Sequence, residues 1–182
     1  MRVRDSGMPD ETYWESLFDV PLILDRLGLS RARNVAEFGC GYGTFTVPIA
    51  QTATGTVHTF DIDPAMIDRT RERVAGLPVM CESRDVIADG FGVTADKVLL
   101  FNILHCEKPV GLLRHAAAAL APGGEVAVIH WVYRDTPRGP RLDVRPRPEQ
   151  LIAWAAEAEL SQVGGIIDLP PWHYGIRFTV AW

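Results

Sequence analysis

Cysteine is scarce in this chain: three residues in 182, with no Cys-x-x-Cys pair. An odd count without paired spacing argues against a disulfide framework. Cys40, Cys81 and Cys106 therefore read as reduced thiols of a cytoplasmic protein. Cys106 with His105 and His130 lacks the spacing of a metal site, so no metal is expected. Basic residues are not in excess either. Eighteen Lys and Arg face 23 Asp and Glu, for a net charge of −5. A dedicated nucleic-acid binder usually needs a basic face, so nucleic acid is not an expected partner. No apolar run is long enough to cross a bilayer, and residues 1–7 lack the apolar core of a signal peptide. There is no internal repeat and no low-complexity tract. Hydrophobic residues at 47% and charged residues at 23% describe an ordinary globular chain, read as one domain over 1–182.

Residues 1–9 read as loose. Tyr13 to Leu27 carries apolar residues at helical spacing, interrupted by Pro21. That pattern predicts two short helices, with Pro21 opening the second and Gly28 ending it. With the rest of residues 1–30 they are expected to cap a site. Strands and helices then alternate. Strands are predicted near 33–38, 56–60, 78–82, 96–101 and 124–131, and helices near 44–51, 64–75, 108–120 and 148–158. The rhythm predicts an α/β, doubly wound sheet. Residues 162–168 and 175–182 read as two last strands, and the short link between them requires an antiparallel pair. The expected sheet has seven strands, six parallel and one reversed.

Two segments carry the chemistry. Residues 35–43 form a buried strand running into glycines at 39, 41 and 43, where the backbone can turn sharply and approach a ligand. Asp61 ends the next strand, eighteen residues past Gly43, where a carboxylate can accept from both ribose hydroxyls. The pair describes a nucleoside site at the switch point of a parallel sheet. Glu37 stands where a dinucleotide site would hold pyrophosphate. A carboxylate there repels phosphate and suits a ligand with an ammonium and a sulfonium, which points to S-adenosylmethionine. Ile62 and Met66 are placed either to cover an adenine face or to pack in the core.

With these motifs in view, the chain resembles the class I S-adenosylmethionine-dependent methyltransferases, most of all their small-molecule branch. The resemblance spans nearly the whole chain. Glu37 to Gly43 is similar to the family's first motif, Phe60 to Met66 to its acidic ribose loop, Leu99 to His105 to the segment after strand four, and Leu120 to Gly124 to the turn before strand five. It implies a Rossmann-like sheet with an antiparallel last strand, and methyl transfer to a small-molecule acceptor. It also implies that Asp85, with Val86 beside it, meets the adenine, and that backbone near Phe101 and Asn102 meets the methionyl end. Two other readings stand beside it: a non-catalytic S-adenosylmethionine-binding protein, and an NAD(P)-dependent oxidoreductase. Glu37, the Thr at 44 in place of the last glycine of GxGxxG, and the absence of a Tyr-x-x-x-Lys set count against the oxidoreductase.

An oxygen or nitrogen nucleophile also needs a base, and histidine titrates nearest neutral pH. His105 follows strand four, His130 lies at the end of strand five, and His173 lies in the last loop, expected to face them. Each is either a catalytic candidate or a hydrogen-bonded structural histidine. Trp131, Tyr133, Trp172 and Tyr174 either wall an apolar substrate pocket or pack beneath a loop. Five arginines at 134, 138, 141, 145 and 147 either attract an anion or keep that loop solvated. Both loops, 134–147 and 170–174, are expected over the carboxyl edge of the sheet.

Overall fold

The computed structural model describes residues 8–180. Residues 1–7 of the expected loose start and residues 181–182 of the expected last strand lie outside the described residues. The element order is α1 Glu11–Glu15, α2 Val20–Arg26, β1 Val35–Phe38, α3 Thr46–Thr52, β2 Val57–Asp61, α4 Pro64–Arg73, β3 Val79–Ser83, α5 Val86–Asp89, β4 Ala95–Phe101, α6 Pro109–Ala118, β5 Leu120–Trp131, α7 Pro148–Glu157, β6 Leu160–Leu169 and β7 His173–Val180.

Local chemistry starts these helices. Asp10 caps α1 by accepting from the Tyr13 amide, and Asp19 caps α2 from the Leu22 amide with Pro21 in its first turn. Asp63 caps α4 through the Ala65 amide, ahead of Pro64. A side-chain oxygen at that position satisfies one of the free N–H groups of the first turn.

The seven strands lie in the order β3-β2-β1-β4-β5-β7-β6. β1 pairs in parallel with β2 and with β4, β2 with β3, and β4 with β5. β7 runs antiparallel to both β5 and β6. Six strands therefore share one direction and one is reversed. The chain winds outward from β1 through β2 and β3, then returns to β4 on the other side of β1. That reversal opens a crevice at the carboxyl ends of β1 and β4, where open α/β sheets bind ligands.

The central strand shows how the core is shared. Val98 and Leu100 of β4 pack into a cluster with Leu112, Leu113, Leu151 and Phe178, under α6 and α7. Leu99 and Phe101 face the other way, onto Leu17, Ile23, Leu27 and Ile49 of the N-terminal helices and α3. Strand period two places successive side chains on opposite faces, and both faces are covered, so the strand is apolar from Val98 to Phe101.

Element ends shift by one or two residues from the sequence reading at several places, and four differences have a physical reason. The predicted helix at 44–51 begins only at Thr46, because Thr44 and Phe45 still belong to the glycine turn. A short α5 appears, nucleated by Asp85, whose carboxylate accepts from the Ile87 and Ala88 amides. The turn at 121–124 lies within β5, which extends back to Leu120. The link between the last strands shrinks to residues 170–172, because β7 pairs with β6 from His173 onward. His173 and Tyr174 are thus strand residues.

Candidate cofactor and acceptor sites

β1 delivers its chain into the glycine turn at the crevice. The Gly41 amide donates to Asp61 Oδ2 at 3.0 Å, and the Gly41 carbonyl accepts from Thr70 Oγ1 at 3.0 Å. These bonds tie the turn to β2 on one side and to α4 on the other. Gly43 has φ +76°, and a Cβ there would come within 3.2 Å of Thr70 Oγ1. Only glycine suits that conformation so close to α4.

Asp61 is buried at 9% exposure. Its second oxygen, Oδ1, accepts from the Asp63 amide at 3.0 Å. Each oxygen has accepted one hydrogen bond and keeps further lone-pair capacity. Burial raises its pKa above the ordinary carboxylate value, while the backbone N–H groups of Asp63 and Gly41 oppose that shift. Glu37 lies beneath the turn at 3% exposure. Thr46 and Thr59 hydroxyls both donate to its Oε2, at 2.5 and 2.8 Å. Burial pushes its pKa up to about 7, partly offset by those two bonds, and Asp61 adds repulsion.

A cavity of about 650 Å³ opens above the turn. Gly39, Gly41, Asp61, Ile62, Met66, Phe101 and Asn102 line it, and these are seven of the eleven residues expected to bind cofactor. The other four stand elsewhere. Gly43 is buried against α4, and Glu37 lies under the floor. Asp85 caps α5 in a separate hollow that shares Ile62. The Val86 side chain is fully buried in the core, because α5 must pack one face onto the sheet. Met8, Trp14, Cys40, Thr44, Phe45, Asp63, Pro64 and Ile103 also line the cavity, and none of them is among the residues expected to bind cofactor. Thr44 and Ile103 are chain neighbours of motif residues. Met8 and Trp14 come from the N-terminal segment, where only topology brings them near.

Two polar atoms on this wall, Thr44 Oγ1 and Asn102 Oδ1, are buried without a partner. Asn102 sits at φ +57°, and its amide donates to the Ile129 carbonyl at 2.8 Å. That conformation is uncommon outside glycine, though Asn tolerates it better than most residues. Unpaired buried polar atoms are costly unless a ligand meets them. A paired carboxylate with spare capacity, two orphan polar atoms, a close glycine backbone and apolar Ile62 and Met66 fit S-adenosylmethionine.

A second cavity, of about 510 Å³, adjoins the first and shares Met8, Trp14 and Asn102 with it. His105, Trp131 and the loop from Arg134 to Arg145 complete its wall. His105 is half-buried, and burial lowers its pKa, with the Arg145 charge adding to the effect. Its ring meets the His130 ring edge-on at 5.5 Å.

The other aromatic candidates lie outside both cavities. His130 is fully buried. Its Nδ1 accepts from the Trp131 amide at 3.0 Å, and burial, then the His105 charge, holds its pKa well down. His173 stacks on Phe18 at 4.5 Å and contacts Trp131 at 4.2 Å, and neither ring nitrogen has a partner. Burial pushes its pKa down to about 3, with the Arg145 charge contributing. The Tyr174 hydroxyl donates to the Pro146 carbonyl at 3.0 Å, and burial raises its pKa. Trp172 is half-buried, and its carbonyl accepts from the Val132 amide. Trp172, His173 and Tyr174 therefore do not face the cavity as expected. The reason is register: β7 begins at His173, opposite Trp131 of β5. Residues 170–172 do lie beside the end of β5, where the Pro171 carbonyl accepts from Arg134.

The five arginines divide. Arg145 is 6% exposed and donates to the carbonyls of Val132, Arg134 and Pro140 and to Thr136 Oγ1, which folds the loop around its guanidinium. Arg141 pairs with Asp143 at the surface. The Arg147 guanidinium lies 3.7 Å from the centre of the Tyr133 ring, outside the cavity. Among the described residues no group of His, Cys, Asp and Glu could hold a metal ion, and no helix is long and apolar enough to cross a membrane.

The family model described as "Methyltransferase domain" matches residues 36–126, half of the chain. Solved structures match the fold. A SAM-dependent methyltransferase from Aquifex aeolicus superposes with a TM-score of 0.82 at 19% identity, covering 94% of each chain. A TehB-like SAM-dependent methyltransferase from Corynebacterium glutamicum gives 0.70 at 17% identity, covering 93% of this chain and 95% of that one. An O-methyltransferase family 2 protein from Planctomyces limnophilus, solved in complex with apigenin, gives 0.76 at 20% identity. There the match covers 93% of this chain and 59% of the longer protein. No curated protein matches by sequence.

Proposed function

The chain belongs to the class I S-adenosylmethionine-dependent methyltransferases, and from that premise we propose that it methylates a small-molecule acceptor, with His105 as the base that takes the acceptor's proton. One observation carries this reading. His105 is the histidine on the wall of the cavity that adjoins the cofactor cavity, and the two cavities meet at Met8, Trp14 and Asn102. Bound in the larger cavity, S-adenosylmethionine supplies an electrophilic methyl group.

The chain's residues then have distinct tasks. Asp61 receives the ribose hydroxyls on the lone pairs that Gly41 and Asp63 leave open. Ile62 and Met66 cover the adenine face, and Asn102 and Thr44 offer their unpaired oxygens to the methionyl end. Glu37 acts from below the turn through its charge, favouring a cationic ligand over a phosphate. His105 is held neutral at pH 7 by burial and by Arg145, so a ring nitrogen keeps the lone pair a base requires. Met8 and Trp14 roof both cavities, which excludes water and aligns the acceptor. His130 and His173 pack beneath the site. Residues 1–182 serve as one domain, with the N-terminal helices capping the site. A cytoplasmic setting agrees with three free cysteines. O-methyltransferases are among the structures similar in fold, which supports a small acceptor over a macromolecule.

The test is formation of S-adenosylhomocysteine from S-adenosylmethionine across a panel of small hydroxylated and aminated acceptors. Turnover is expected with wild type. His105→Ala should lower kcat while leaving S-adenosylhomocysteine affinity unchanged. Tight cofactor binding with no turnover on any acceptor would favour the non-catalytic reading.

A further inference from the structure

The acceptor cavity differs in charge from the rest of the molecule. The chain carries a net charge of −5. Yet Arg134, Arg138, Arg141 and Arg145 all line this cavity, with Asp135 as the carboxylate on its wall and Asp143 paired to Arg141 outside it. Arg145 matters most because it is buried. Its guanidinium is held by backbone carbonyls and a hydroxyl, and among the described residues no carboxylate forms a salt bridge with it. The carbonyls orient the group without neutralising it. Its Nε and one Nη2 hydrogen share the Pro140 carbonyl, and its Nη1 hydrogens meet Val132, Arg134 and Thr136, so one Nη2 hydrogen remains. A buried cation without a paired anion is costly to a fold on its own. Positive charge gathered in a low-dielectric cleft also draws anions to it. Beside the polar Asn102, His105 and Thr136, the wall carries a flat, apolar part: Trp14, Trp131, Pro137, Pro140 and Leu142. Gly139 lets the loop backbone lie close to the Trp131 ring, since a Cβ there would fall 2.8 Å from it.

We propose that the acceptor is a small, flat, apolar molecule that bears an anionic group, a carboxylate or a phosphate, received by the arginine loop while its nucleophile faces His105. The inference rests on the methyltransferase reading and deepens it. The loop's charges orient the acceptor in the cavity, and the reacting hydroxyl gives its proton to His105 as its oxygen bonds to the methyl carbon, whose bond to the cofactor sulfur breaks with its electron pair left on sulfur, giving S-adenosylhomocysteine. The anion stays on the loop side throughout, so it contributes binding and alignment.

Calorimetry on protein loaded with S-adenosylhomocysteine tests this with four matched probes: 4-hydroxybenzoate, 4-hydroxyphenyl phosphate, 4-hydroxybenzamide and tyramine. At low salt at least one anion is expected to bind about tenfold or more tighter than the amide and tyramine, and the advantage should shrink as salt rises. Because Arg145 holds the loop together, the variant chosen is Arg138→Gln, expected to cut the advantage severalfold. Amide or tyramine binding as tight as both anions, an advantage indifferent to salt and to Arg138→Gln, or no binding of either anion would overturn the proposal. The loading step separates the two claims. Failure to bind S-adenosylhomocysteine would bring down the cofactor site on which the proposal stands.

Discussion

Replacing Glu37 by Gln should make the ligand-free protein more stable, and most of all at neutral to alkaline pH. Glu37 is almost fully buried, and the Thr46 and Thr59 hydroxyls both donate to one of its oxygens. A glutamine amide oxygen can accept the same two bonds at nearly the same volume. What it removes is a charge that burial and Asp61 disfavour. The carboxyl moves from its ordinary 4.5 to about 7 on folding. A raised carboxyl pKa means that the folded state holds the proton longer than the unfolded chain. The resulting penalty is absent below pH 4.5, grows between 4.5 and 7, and is complete above 7. At 1.36 kcal/mol per unit the full penalty is about 3 kcal/mol at pH 8 and about 1 kcal/mol at pH 5. Urea unfolding of both proteins at the two pH values reads it directly. The variant should exceed wild type by about 3 kcal/mol at pH 8, and by much less at pH 5. Because the charge is proposed to serve a cationic ligand, the same variant should bind S-adenosylmethionine more weakly. A stability difference that is nil at pH 8, or the same at both pH values, would refute the reasoning.

Other perturbations follow from the same geometry. Asp61→Ala removes an acceptor for two ribose hydroxyls, each charge-assisted bond being worth about 1.5–3 kcal/mol, so S-adenosylhomocysteine affinity by calorimetry should fall at least about tenfold. His173 works against pH in the opposite sense to Glu37. Its pKa falls from 6.5 to about 3 on folding, so stability is retained above pH 6.5 and lost as pH drops from there toward 3. His173→Phe, which keeps the stack on Phe18 and Trp131 and removes two unpartnered nitrogens, should flatten that acid limb in a Tm-versus-pH series. Arg145→Met should unravel the 134–147 loop without unfolding the sheet, seen as new protease cleavage confined to that loop. Turnover, once an acceptor is in hand, should fall with acid below pH 6.5 as His105 protonates, and stay level above it.

Much of the architecture was legible because it is written in short-range patterns. Alternating strands and helices, the apolar run of β4 and the glycines before α3 depend on neighbours in the chain, and the reversed last strand follows from the short link before it. The wall of the candidate cofactor cavity was legible in part for the same reason: Gly39, Gly41, Asp61, Ile62, Met66 and Asn102 flank strand ends. What escaped depends on contacts between distant segments. The register of β7 against β5 turned His173 inward onto Phe18, and no local pattern marks a shift of two residues in where a strand begins. Met8 and Trp14 reach both cavities from the far end of the chain. Among the loop's arginines, Arg145 differs from its neighbours through burial and five backbone and hydroxyl contacts, none of which composition reveals.

The account stands on the crevice at β1 and β4 being an S-adenosylmethionine site, and calorimetry with S-adenosylmethionine, S-adenosylhomocysteine and NAD tests that most directly. It predicts one-to-one binding of the first two, lost or much weakened in Asp61→Ala, and no binding of NAD. Binding of NAD without S-adenosylhomocysteine, or S-adenosylhomocysteine affinity indifferent to Asp61, would contradict it.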